Sequence, residues 1–167
     1  MVIAVISDTH MPRGARRLPE ACVERIASAD LLLHGGDLMT IDVLRELEGI
    51  GPPVAAVHGN MDTAELRRLL PAERVVEAGG ARIAMLHDAG PRAGRLARME
   101  RRFGNQADAV VFGHSHLPLH EHAPDGFQIF NPGSPTERRR APVHTMGMAR
   151  VERGTLQFEL IELTPYT

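Results

Sequence analysis

Ala109-Val110-Val111-Phe112-Gly113-His114-Ser115-His116 is the stretch on which the reading of this chain turns. Its apolar start has the length and composition of a buried strand. Gly113 ends the run and gives the backbone freedom to turn. Two histidines follow with one small residue between them. In extended backbone, residues two apart point the same way, so both imidazoles are expected to face one spot. Neutral imidazoles converging at a strand end are good metal ligands. Taken alone, the pair fits a polar loop as well as a metal site. The other polar residues decide the matter, because they repeat the same layout.

Upstream, Val2 to Ser7 is an apolar, β-branched run that reads as a central strand, and it ends in Asp8-Thr9-His10. Leu31 to Leu33 reads as a second strand and runs into His34-Gly35-Gly36-Asp37. Val54 to Val57 is a third, followed by His58-Gly59-Asn60-Met61-Asp62. Arg74 to Ala78 and Ala81 to Leu86 form a hairpin around Gly79-Gly80, and the second arm ends at His87-Asp88. Every chemically interesting group thus follows a strand. Helices are expected over Leu18 to Ala29, Ile41 to Leu47, Thr63 to Leu70 and Gly90 to Phe103, with Asp62 as the cap of the third. Arg92, Arg95, Arg98 and Arg102 recur at helical spacing on the fourth, a stripe that commonly means a solvated face.

Downstream, Pro118 to Ala123 and Phe127 to Phe130 are strands around Asp125-Gly126, with His120 and His122 on an exposed face. Asn131-Pro132-Gly133-Ser134 is a tight turn. Val143 to Val151 and Thr155 to Leu163 close the chain as a hairpin. The alternation of strands and helices predicts an α/β domain whose sheet faces are covered by helices. Ligands in such folds gather beyond the carboxyl ends of the strands.

Length and composition agree with one soluble domain over residues 1–167. Hydrophobic content is 43%, charged content 24% and net charge −2. That balance and the 4% aromatic content argue against a nucleic-acid track. No apolar run approaches a membrane span, and the first residues lack a basic start, so a cytoplasmic protein is expected. The single cysteine, Cys22, cannot form an internal disulfide and reads as core. All 19 basic residues are arginine, which excludes Schiff-base and P-loop lysine chemistry. Many follow the strand-end motifs: Arg13, Arg16, Arg17, Arg67, Arg68, Arg92, Arg95, Arg138, Arg139 and Arg140. They are expected to form a positive rim that steers anionic substrates. Homo-oligomerisation is left open.

The collected set is Asp8, His10, Asp37, Asn60, His87, His114 and His116. Two carboxylates, four imidazoles and an amide are too many for one structural zinc. They suit two divalent ions sharing a carboxylate, and mixed N/O ligation favours manganese, iron, zinc, cobalt or nickel over calcium.

Asp8-Thr9-His10, Gly36-Asp37, Gly59-Asn60, His87 and Gly113-His114-Ser115-His116, in that order, resemble the motifs of the calcineurin-like metallophosphoesterase superfamily, small phosphodiesterase type. The resemblance implies a four-layer αββα sandwich of two mixed β-sheets flanked by helices. It implies one metal, manganese favoured, on Asp8, His10 and His116 and a second on Asn60, His87 and His114, with Asp37 bridging. It implies hydrolysis of a small phosphodiester by attack of a metal-bound hydroxide, with Asp37, Asn60 and His87 nearest the chemistry. Asn131 and Ser134 become substrate-binding candidates, and His34, His58 and Asp88 supporting residues behind the ligands. Two positions depart from the pattern. Met61 stands where many members carry a proton-donating histidine, and Asp88 stands where relatives often have glycine. The competing readings are a non-catalytic interaction scaffold of the same fold and a nuclease.

Overall fold

The strand Val2–Ile6 (β1) shows how the layers arise. Every residue from Ile3 to Ile6 is fully buried. Ile3 and Val5 join one apolar cluster, while Ala4 and Ile6 join another. A strand buried on both faces lies between two packed layers, which is why its sequence is an unbroken apolar run. The computed structural model describes residues 1–163. The further strands are β2 (Leu31–His34), β3 (Val54–Ala56), β4 (Glu73–Ala78), β5 (Ala81–Leu86), β6 (Ala109–Val111), β7 (Leu119–His122), β8 (Gln128–Asn131), β9 (His144–Glu152) and β10 (Thr155–Leu163). The helices are α1 (Glu20–Ala27), α2 (Ile41–Glu48), α3 (Ala64–Leu69) and α4 (Arg95–Phe103).

The strands form two five-stranded sheets, ordered β10-β9-β1-β2-β3 and β4-β5-β6-β8-β7. Each has a parallel centre (β1-β2-β3 and β5-β6-β8) with antiparallel strands added outside it. Ile3, Val5 and Leu33 of one sheet share a cluster with Ile83, Met85, Val111 and Phe130 of the other. The outer face of the first sheet packs on Cys22 and Ile26 of α1 and on Leu44 and Leu47 of α2. Met99 and Phe103 of α4 cover Ala84, Val110 and Phe112 of the second. The result is the expected αββα sandwich of two mixed sheets. The parallel strands deliver all the candidate ligands at their carboxyl ends.

Two local expectations need correction. α4 begins at Arg95, because Gly94 before it adopts φ +66°. Its arginine stripe is also not simply solvated. Arg95 donates to Gly90 O, Arg98 to Ala89 O and Pro91 O, and Arg102 pairs with Glu73. Arg95 and Arg98 thereby supply partners to carbonyls of the turn between β5 and α4. His120 and His122 do lie on an exposed face of β7.

Candidate metal centre

Five of the seven candidate donors sit on left-handed, not extended, backbone. φ is +57° at Asp8, +45° at His10, +61° at Asp37, +69° at His114 and +59° at His116. Asp and His tolerate this region better than most residues, and such strain collects at functional sites. The expected convergence is present, but the extended-strand reasoning for it fails: the strands stop before the donors begin. Two glycines are needed here because space is short. A Cβ on Gly113 would stand 1.9 Å from Ser7 Oγ, and one on Gly59 would stand 2.0 Å from Asp37 Oδ1. Gly113 itself has no positive φ, so close approach and not turning freedom explains it.

Seven side chains meet. His10 Nε2 lies 3.3 Å from His116 Nε2 and 3.9 Å from Asp8 Oδ1, and His116 Nε2 lies 3.3 Å from Asp8 Oδ1. Asp37 Oδ2 is 3.5 Å from His10 Nε2 and 3.3 Å from His87 Nε2. Asn60 Oδ1 is 3.1 Å from both His87 Nε2 and His114 Nδ1. Two donors at ordinary bond lengths from one ion are separated by at most about 4.4 Å, and all these pairs lie within that limit. Among the described residues, two groups of acidic and histidine side chains have the spacing to hold an ion, Asp8-His10-His116 and Asp8-Asp37-His87. Asp8 therefore belongs to both groups by distance, beyond the single site expected of it.

The protonation pattern fits a cation. His87 Nδ1 is 2.8 Å from Gly35 O, and His116 Nδ1 contacts Glu137 O. A carbonyl only accepts, so each Nδ1 carries a hydrogen and each Nε2 is the ring atom turned toward the centre. There His87 meets the oxygens of Asn60 and Asp37. Burial pushes His116 down to about 4 and also lowers His10, so both imidazoles are neutral donors at pH 7. His10 Nδ1 is buried without a hydrogen-bond partner. Burial lifts the Asp8 carboxyl to about 7. Burial opposes charge on both Asp37 and His87, but their mutual contact outweighs it, lowering the first and raising the second. Imidazole nitrogens and crowded carboxylates converging on one spot form a donor set suited to divalent metal.

The calcineurin-like phosphoesterase superfamily domain matches residues 1–154. The chain belongs to the calcineurin-like phosphoesterase superfamily. A probable metallophosphoesterase of Methanothermobacter thermautotrophicus is 36% identical over 164 residues, 96% of this chain and 92% of that protein. The fold is also that of the zinc complex of Vps29 from Entamoeba histolytica, with TM-score 0.76, 22% identity and coverage of 97% and 99% of the two chains. A structure described as a novel archaeal phosphodiesterase aligns with TM-score 0.73 and 19% identity over 96% of this chain and all of that one. Membership and the Asp/His groups together support a phosphoesterase that uses divalent metal.

The remaining residues of this phosphoesterase take varied places. His34 is fully buried behind the site, accepting from Gly36 N and bonding to Thr9 Oγ1 between Asp8 and His10. Burial lowers it to about 3. His58, Asp88, Asn60, His87 and His114 line one cleft of about 320 Å3. Asn131 and Ser134, the substrate-binding candidates, lie beneath the donor loops. Asn131 is buried, donating to Gly113 O and Ser115 Oγ and accepting from Gly133 N. Ser134 is buried, donating to Asp8 O. Their polar atoms are committed to holding the donor loops. Asp62 does not cap α3, since Thr63 does so by accepting from Leu66 N. Asp62 instead accepts from Asp37 N, Met39 N and Gly59 N, tying two donor loops together.

Glu137 was not singled out from sequence. Its Oε2 lies 3.7 Å from His10 Nε2, and its Oε1 pairs with Arg16 at 3.1 Å. It sits in an arginine-rich run, and only the fold brings it to a histidine early in the chain. The rim arginines divide. Arg16 and Arg139 exert their charge on His10 and His116. Arg67 is bound to the carbonyls of Asn60 and Asp62, and Arg138 to Ala141 O. Among the described residues no helix is long and apolar enough to cross a membrane.

Proposed function

We propose that this chain is a dinuclear-metal phosphodiesterase acting on small phosphate diesters in the cytoplasm, with manganese the favoured ion. One placement carries the reading: Asp37 Oδ2 stands between His10 and His87, at 3.5 and 3.3 Å. Under it, Asp8, His10 and His116 hold one ion, Asn60, His87 and His114 hold the other, and Asp37 reaches both. Divalent ions bound there supply Lewis acidity toward phosphoryl oxygens and lower the pKa of water.

The chain's own groups do the rest. Glu137 O and Gly35 O fix the rings of His116 and His87 through their Nδ1 hydrogens, so that neither ring has to reorganise during turnover. Arg139 places positive charge near His10 and His116, and Arg16 near His10, which favours an anionic diester at the centre. Asn60 and His114 are the exposed members of the donor set and face the cleft through which a diester enters. Arg67 holds the Asn60 loop by its carbonyl. Met61 is exposed beside Asn60 and carries no proton, so the residue after Asn60 gives the leaving oxygen no help.

A panel of phosphomonoesters and phosphodiesters, each assayed with manganese, zinc, cobalt, nickel and iron, tests the reading. Metal-dependent turnover is expected on diesters, with monoesters and oligonucleotides slower. Stoichiometric metal binding without turnover on any ester would turn the assignment to an interaction scaffold.

A further inference from the structure

A second cavity, about 340 Å3, lies beside the His114-Ser115-His116 loop, lined by Arg92, Arg95, Ser115, Leu117, Pro118 and Pro142 among others. That size is within the range of small-molecule sites. Its walls are continuations of the donor loops. Ser115 separates two candidate ligands, Arg92 follows His87 across one turn, and Pro142 follows the loop that carries Glu137. Through Ser115 the cavity adjoins the loop that carries His114 and His116.

The lining is specific in character. Leucine, proline and alanine make up most of it, and no carboxylate contributes. Leu117 is 44% exposed, a large apolar side chain left open to solvent. The Ser115 hydroxyl is committed to Asn131 Nδ2 and Leu117 N. Arg95 is fixed, with Nε and Nη2 on Gly90 O and its guanidinium 4.9 Å over the Phe112 ring. Arg92 is exposed at the same wall. The cleft at Asn60 differs: its lining includes Glu73, Asp88, Arg67 and Arg102, which suits water and phosphate more than a ring.

We infer that this cavity receives one ester arm of the substrate, and that the arm is a planar aromatic group. The inference rests on the phosphodiesterase reading above. The leucine and proline walls take a ring's faces, the fixed planar cation of Arg95 complements its π-electrons, and the exposed Arg92 accommodates polar or anionic substituents on its edge. An alkyl arm gains little of this.

The zinc-loaded protein, labelled with 13C at leucine methyls, is titrated with diphenyl phosphate and with dimethyl phosphate. Diphenyl phosphate is expected to shift the Leu117 and Leu119 methyls and to bind about tenfold or more tightly than dimethyl phosphate. Leu117→Asp, at an exposed position, should remove that preference and raise KM for bis(4-nitrophenyl) phosphate about tenfold. Leu117→Ala should act in the same direction by less. Equal binding of the two probes, or unchanged KM in Leu117→Asp, overturns the pocket. If bis(4-nitrophenyl) phosphate is not hydrolysed with any metal, the phosphodiesterase reading fails, and the methyl shifts still decide the pocket. Thymidine 5′-(4-nitrophenyl phosphate) identifies the arm: tighter binding than diphenyl phosphate assigns a nucleoside, weaker binding a simple aryl group.

Discussion

The two halves of the centre are built differently. Asp8, His10 and His116 are 0, 1 and 0% exposed, sealed between the sheets and the loop of Ser134 to Glu137. On the other side His114 is 46% exposed and Asn60 is exposed as well, both opening on the cleft with His58 and Asp88. Closed sites hold metal, and open ones leave positions for substrate. Under the proposed two-ion reading the first half would grip and the second half would work, with Asp37 between them.

Removing that link should have the largest effect. Asp37→Asn is expected to cost about 10³-fold in kcat/KM and to leave fewer than two ions per chain by metal counting. Two tightly held ions in that variant would break the comparison. Asp62→Ala asks whether the open half depends on support from below. Three backbone N–H groups lose their acceptor, so stability should fall by about 3 kcal/mol, seen as a melting point lower by about 6–12 °C. A melting point within a degree of wild type would show that water replaces Asp62.

Met61→His probes the open half alone. Alkyl diesters should gain about 10²-fold while aryl diesters barely change, so that the slope of rate against leaving-group pKa flattens. A wild-type slope already shallow would mean that bond cleavage does not limit the rate. The finest distinction is between the two histidines of one motif. His116→Ala should lose an ion, whereas His114→Ala should keep both and bind one about tenfold more weakly. Identical metal contents for the two variants would erase the proposed difference between the halves.

The layers were legible because strands buried on both faces, such as Val2–Ile6 and Ala109–Val111, leave unbroken apolar runs that end where the polar groups start. The seven candidate donors could be picked out for the same reason, each following a strand. What stayed hidden depends on contacts between distant residues. The acidic residue before α3 reads as a cap because capping is a local signal, yet Asp62 is spent on amides of residues 37 and 39. Asn131 and Ser134 look available in a polar turn, but the folded loops consume their hydrogen bonds. The left-handed backbone at Asp8 and His114 leaves no trace in residue type beyond tolerance of that geometry. Glu137 meets His10 and Arg16 across most of the chain, a partnership no spacing rule reaches.

The central claim is that one carboxylate joins two ions in a closed and an open site. Electron paramagnetic resonance of the protein loaded with manganese, with metal counted on the same sample, tests it most directly. The account predicts two ions per chain and the multiline spectrum of a spin-coupled pair, which Asp37→Asn abolishes. A single ion per chain with the six-line signal of isolated manganese would contradict it.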